Sequence, residues 1–142
     1  MASFAVHGLD ELCEDFKRAE NVPEEITKGI LKAMAKRAGE AQARTAKSML
    51  SGPLSEGITA AAVKVGRAIV SASGGQIKLS FSGSRTRANT TTRNAEIAFI
   101  NEFGKKGQPA RPFIRTANEQ DGDDINEAGA KIFYNWLSKN GL

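Results

Sequence analysis

No proline interrupts the chain between Pro23 and the Ser51-Gly52-Pro53 stop, and within that span Ile26, Ile30, Ala33, Met34, Ala38, Ala41, Thr45 and Met49 recur at helical spacing on one side. Pro23 suits the first turn of such a helix, with Glu24 and Glu25 behind it. The spacing therefore predicts a helix from Pro23 to about Leu50, roughly 39 Å long at 1.5 Å per residue. Six alanines between Ala33 and Ala46 favour the helix and let another surface approach closely. A helix this long outreaches the core of so small a domain, so its small-residue stripe reads first as core and second as an interface.

The remaining elements must fit into what is left of 142 residues, about one domain's worth of chain. Ser3 to His7 reads as a short strand, and Leu9, Leu12, Cys13 and Phe16 mark a short helix from about Asp10 to Ala19. After Pro53 the period changes. Ala68–Ser73 and Gln76–Ser82 read as two strands around a Gly74-Gly75 turn, with Ile77, Leu79 and Phe81 on one face. Gly83–Asn94 carries Arg85, Arg87 and Arg93 and no large apolar residue, which predicts an exposed, mobile loop. Ala95–Gly104 resumes with Ile97, Phe99 and Phe103 sharing parity, the pattern of a third strand, with a short helix as the alternative. In the last segment Ile125, Gly129, Ile132, Phe133, Trp136 and Leu137 form one apolar helical stripe. The expected fold is a single α+β domain over residues 1–142, in which a small antiparallel β-sheet packs against the long helix of the N-terminal half and a C-terminal helix.

Composition narrows the chemistry. One cysteine, Cys13, and one histidine, His7, cannot make a disulfide framework or a four-ligand zinc site, and a catalytic pair would need His7 at the extreme N-terminal segment. Adjacent acids such as Glu24-Glu25 and Asp123-Asp124 point about 100° apart on a helix and cannot flank one substrate. Gly74-Gly75 lacks the strand-loop-helix setting and the Lys-Ser/Thr of a phosphate-cradling loop. The sequence therefore reads as a non-enzyme without cofactor or metal. No apolar run approaches the roughly 18 residues of a membrane span, so the expectation is a soluble intracellular protein without redox chemistry.

Charge is distributed in blocks. Seven acids and two bases lie between Asp10 and Glu25, six bases and one acid between Lys28 and Lys47, and five acids with no base between Glu119 and Glu127. Seven bases against two acids between Arg85 and Arg115 would suit a surface facing DNA in a channel. Acidic blocks of one copy meeting basic stretches of the next would suit a subunit that joins head to tail. Phe81, Phe99, Phe103 and Phe113 look like core by alternation, which weighs against the competing class, a small basic nucleic-acid-binding module built on Arg85, Arg87, Arg93, Lys105, Lys106 and Arg111.

The segment from Asn101 to Ala117 is the most distinctive. Pro112 fixes its own φ and biases Arg111 to extended geometry, so Arg111 and Phe113 are held in set directions before a helix begins. Polarity suggests that Arg111 pairs with Glu102 while Phe113 plugs the core. The run AFINEFGKKGQPARPFIRTA resembles the signature of the small tail-component proteins of long-tailed phages, the gene-product-ten-like family, through Glu102, Phe103, Gly104, Pro109, Ala110, Arg111, Pro112, Phe113 and Ala117. The order of elements around it is similar too: Gly8, Leu9 and Leu12 at the start, a long basic Ala-rich helix, a variable centre and a C-terminal helix. The Arg/Thr stretch 83–94 is larger, and the loop after Gly104 more basic, than is usual there.

The resemblance implies a virion structural protein at the head-tail junction, a neck or tail-completion component that forms or joins a ring. It implies copies of itself and the phage connector, neck and tail proteins as partners, transient DNA contact in a channel through Arg85, Arg87 and Arg93, and no membrane. The implied location is the virion, and the host cytoplasm during assembly. No catalytic residue is implied.

Overall fold

The structure is a computed structural model and describes residues 22–71 and 74–140. The strand expected at Ser3–His7 and the helix expected at Asp10–Ala19 lie outside the described residues. The fold is α+β and is organised around the long helix.

That helix, α1, spans Glu24–Met49. Pro23 caps it with its carbonyl, which accepts from Ile26 N–H at 3.0 Å, and Glu24 and Glu25 in the first turn and Lys47 in the last complement its dipole. Leu50 leaves in extended geometry as its N–H bonds the Ala46 carbonyl, ahead of Gly52-Pro53. Its buried positions, Ile30 through Ala46, are dominated by alanine, and Gly39 among them lets the Val63 side chain approach closely. The small-residue stripe is core.

Beyond α1 the chain makes a short α2, Gly52–Ser55, and a 3-10 turn at Ala60–Ala62, then strands β1 Val63–Val65, β2 Ile69–Ser71, β3 Gly74–Gln76 and β4 Leu79–Phe81. β1 pairs with β4 (Val63 opposite Phe81) and β2 with β3 (Ile69 opposite Gln76), both antiparallel. The four strands are thus one long interrupted hairpin. Residues 66–68 lie opposite only 77 and 78, an extra residue of the kind that makes a β-bulge, and Gly66 N–H still reaches the Lys78 carbonyl at 2.8 Å. Gly74 and Gly75 belong to a strand here, not to the turn expected of them. A side chain on Gly75 would meet the tip of the Leu31 side chain of α1, which would have to turn aside.

Two further expectations are corrected. Gly83–Asn94 forms a second hairpin instead of a loop, with strands β5 Ser84–Arg87 and β6 Thr90–Arg93. Its turn residues Ala88 and Asn89 both have positive φ, 47° and 66°, the pattern of the tight turn that matches strand twist. Threonines supply strand propensity, and the Thr86 and Thr91 hydroxyls bond across it at 2.8 Å. The third strand expected at 95–104 is a helix, α3, Asn94–Phe103. Its buried residues are Asn94, Ile97, Ala98, Asn101 and Glu102, a helical stripe whose members are largely polar.

Helices α4, Phe113–Gln120, and α5, Gly122–Lys139, complete the chain and pack against α1, with α5 antiparallel to it. Gly129 of α5 sits against Met34 and Ile30, Asp124 pairs with Arg37 at 3.3 Å, and Asn118 of α4 accepts a buried hydrogen bond from Gln42 at 3.1 Å. The core has two halves. Ile30, Met34, Ala38, Leu79, Ile125 and Phe133 fill one, while Ala43, Ala46, Leu50, Ile58, Phe81, Ile97, Ala98 and Phe113 fill the other. Val63 touches both, so the hairpin is sewn to the middle of α1.

Candidate assembly surface

The second half-core ends in a corner between α3 and α4. Gly104 closes α3 with φ 77° and ψ 175°, and its N–H bonds the Ile100 carbonyl at 2.7 Å. Lys105 and Gln108 then exchange backbone hydrogen bonds at 3.0 and 2.9 Å around Lys106-Gly107, a tight turn that needs the positive φ of Gly107, 83°. The chain returns to α3 when Arg111 N–H reaches the Asn101 carbonyl at 2.6 Å. Pro112, at φ −77° and ψ 70°, sits at the centre of an inverse γ-turn whose hydrogen bond runs from Phe113 N–H to the Arg111 carbonyl at 2.8 Å. Phe113 follows as the first residue of α4 and is fully buried.

Glu102 has a role other than the one expected. It makes no ion pair with Arg111, which is exposed; its carboxylate instead accepts Ile114 N–H at 2.7 Å and Arg115 N–H at 3.1 Å. Pro112 has no side chain able to cap α4, so a residue of the previous helix supplies the missing acceptor and its negative charge faces the positive end of the α4 dipole. Asn101, which sequence reasoning passed over, is 1% exposed and donates from Nδ2 to the Ile97 carbonyl at 2.8 Å while its own carbonyl receives Arg111. Glu102→Gln removes the charge and one of two acceptors, and is expected to cost about 2 kcal/mol by chemical denaturation, against less than about 0.5 kcal/mol for Arg111→Ala. Equal losses for the two variants would restore the Arg111–Glu102 pairing.

The aromatic residues of the segment divide. Phe113 and Phe81 are core, with ring centroids 6.4 Å apart, whereas Phe99 is 55% and Phe103 65% exposed, contrary to their expected burial. The two exposed rings are one helical turn apart on α3 and contact each other at 4.8 Å between centroids. Pro109 and Ala110 are exposed beside them in sequence, and Pro112 is half-buried.

The three arginines of the β5–β6 hairpin do not converge. Alternation along paired strands puts Arg85 and Arg87 on one face, opposite Thr92 and Thr90, and Arg93 on the other, opposite Ser84. Arg87 is held by Glu56 at 3.1 Å, and Arg85 is half-buried with Nη1 lacking a partner. The acidic segment 119–127 is partly consumed within the chain, since Asp121 pairs with Arg44 and Asp124 with Arg37.

Comparison with protein-family models, with curated proteins and with solved structures returns no match to this chain. Its chemistry must be read from its own geometry. Among the described residues no cluster of His, Cys, Asp and Glu is arranged to hold a metal ion, and no helix is long and apolar enough to cross a membrane. What the corner can do is present groups rigidly. Two exposed phenyl rings stand at the end of a helix whose last turn is locked by Asn101, Gly104 and Glu102.

Proposed function

We propose that the chain is a structural subunit of a phage head-tail junction, a neck or tail-completion component that forms or joins a ring. The observation that carries the reading is the geometry of the segment resembling the tail-component signature. Within Glu102 to Phe113, one residue caps the next helix, one turns the chain, one fills the core and one, Phe103, is left facing solvent from a fixed position. A motif whose purpose was packing alone would bury its aromatic residues. An exposed aromatic pair on a rigid element is what an assembly contact requires.

On this reading the partners are other copies of the chain and the connector, neck and tail proteins, and the protein acts in the virion after assembly in the host cytoplasm. The competing reading as a nucleic-acid-binding module is weakened by the hairpin, whose arginines lie on two faces and cannot form one phosphate patch. Contact with DNA, on our reading, is transient and confined to its passage through a channel. A tagged copy should be present in purified particles of a phage that encodes the protein. Particles that are complete and never contain it would overturn the assignment.

A further inference from the structure

The exposed pair Phe99 and Phe103 has charged surroundings that are unpaired within the described residues. Lys105 and Lys106 follow α3 directly, and Arg111 and Arg115 are brought to the same end by the Asn101 and Glu102 backbone contacts. All four are exposed, and none makes an ion pair within the described residues. Toward the C-terminal end of α4, starting with Glu119 about 6 Å along the axis from Arg115, and on into α5, the situation is reversed. Glu119, Asp123 and Glu127 are exposed there, and they too make no ion pair within the described residues, although Asp121 and Asp124 beside them do. The molecule therefore carries an aromatic-cationic end and an acidic face that do not satisfy each other in one copy.

We infer that the Phe99/Phe103 face is the docking site for the acidic α4–α5 face of a second copy of this chain. The inference rests on the ring-subunit reading above and names the surfaces it uses. Charge complementarity argues for this occupant, because the same chain holds both halves and the two halves are different surfaces. A contact between unlike surfaces repeats from copy to copy and either closes into a ring or grows as an open filament. The phenyl rings supply apolar area at the centre while the bases form a polar rim. A nucleic-acid strand fits the same face less well. Glu96 is exposed one turn before Phe99, so phosphates following the aromatic row would meet a carboxylate.

The test uses full-length protein and sedimentation velocity at millimolar concentration and low salt. Wild type should self-associate in a concentration-dependent way. Phe99→Ser/Phe103→Ser, at exposed positions that leave the core intact, should weaken association at least about tenfold, and Asp123→Lys/Glu127→Lys should do the same. Each double variant keeps the surface the other has lost. An equimolar mixture of the two should therefore form heterodimers and stop there, the signature of head-to-tail contact. A wild type that stays monomeric, phenylalanine variants that associate normally, or a mixture that remains monomeric would each overturn the inference. A labelled single-stranded oligonucleotide bound by wild type and released by the phenylalanine variants, without self-association, would also overturn it and assign the face to nucleic acid. Failure here with the protein still present in virions would leave the ring-subunit reading standing on another surface; heterodimers from a protein absent from virions would do the reverse.

Discussion

Phe113→Ala should destabilise the protein by about 3–5 kcal/mol and lower its melting midpoint by roughly 10–20 °C. Phe113 has no exposed surface and lies among Ala43, Ala46, Leu50, Ile58, Phe81, Ile97 and Ala98. Three of those neighbours are alanines on α1 and α3, whose methyl groups are fixed to helical backbone and cannot swing into the space a lost ring leaves. The cavity therefore persists, which puts the cost at the upper part of the range for large-to-small core changes. Phe113→Leu keeps most of the volume and should cost less than about 1.5 kcal/mol. Thermal and urea unfolding of the two variants measure both values. A midpoint unchanged in Phe113→Ala would mean that the ring is not a core plug.

Gly104→Ala is the second large effect, at about 3 kcal/mol or more. The φ and ψ of Gly104, 77° and 175°, fall in a region essentially reserved for glycine, and an added Cβ would lie 2.9 Å from the Ala110 nitrogen and 3.0 Å from the Gln108 oxygen. Both obstacles are backbone, so no side-chain rotation relieves them. Relief requires the returning strand to move away from α3, which breaks the Arg111 N–H bond to Asn101. Amide exchange should accordingly quicken at Arg111 and at the capped amides of Ile114 and Arg115. Exchange confined to wild-type rates at those three amides, or stability equal to wild type, would show that the corner is not held as described.

The parts of the fold that were readable in the sequence are those where burial is apolar. α1 and α5 carry Ile, Met, Ala, Phe and Trp at helical spacing, and Phe113 follows a proline that fixes its direction, so period and conformational restriction suffice. α3 was misread as a strand because its buried stripe includes Asn94, Asn101 and Glu102, while its most conspicuous residues, Phe99 and Phe103, lie off that stripe in solvent. A scan for hydrophobic period follows the wrong face of such a helix. The hairpin at 84–93 was missed for the opposite reason: its stability is local, in a positive-φ turn and threonine pairs, and needs no apolar residue. Within the site, Glu102 was singled out but given the wrong partner, because polarity suggested a cation where the actual donors are backbone amides of the next helix.

The proposed assembly role also separates the uses of charge more sharply than composition does. Asp121 and Asp124 fasten the α4–α5 segment to α1 through Arg44 and Arg37, so two of the five acids of the segment serve the monomer. Exposed pairs of this kind contribute little stability each, and their value here is orientation of the helices. The acids left over are the ones available to a neighbour.

On the proposed reading the protein occupies the head-tail junction as a structural subunit. Immunogold labelling of purified particles with an antibody against the native protein tests it most directly. Label concentrated where the tail meets the head is the predicted result. Intact particles that bind no gold, or that carry it on the capsid shell or the distal tail tip instead, would contradict the account.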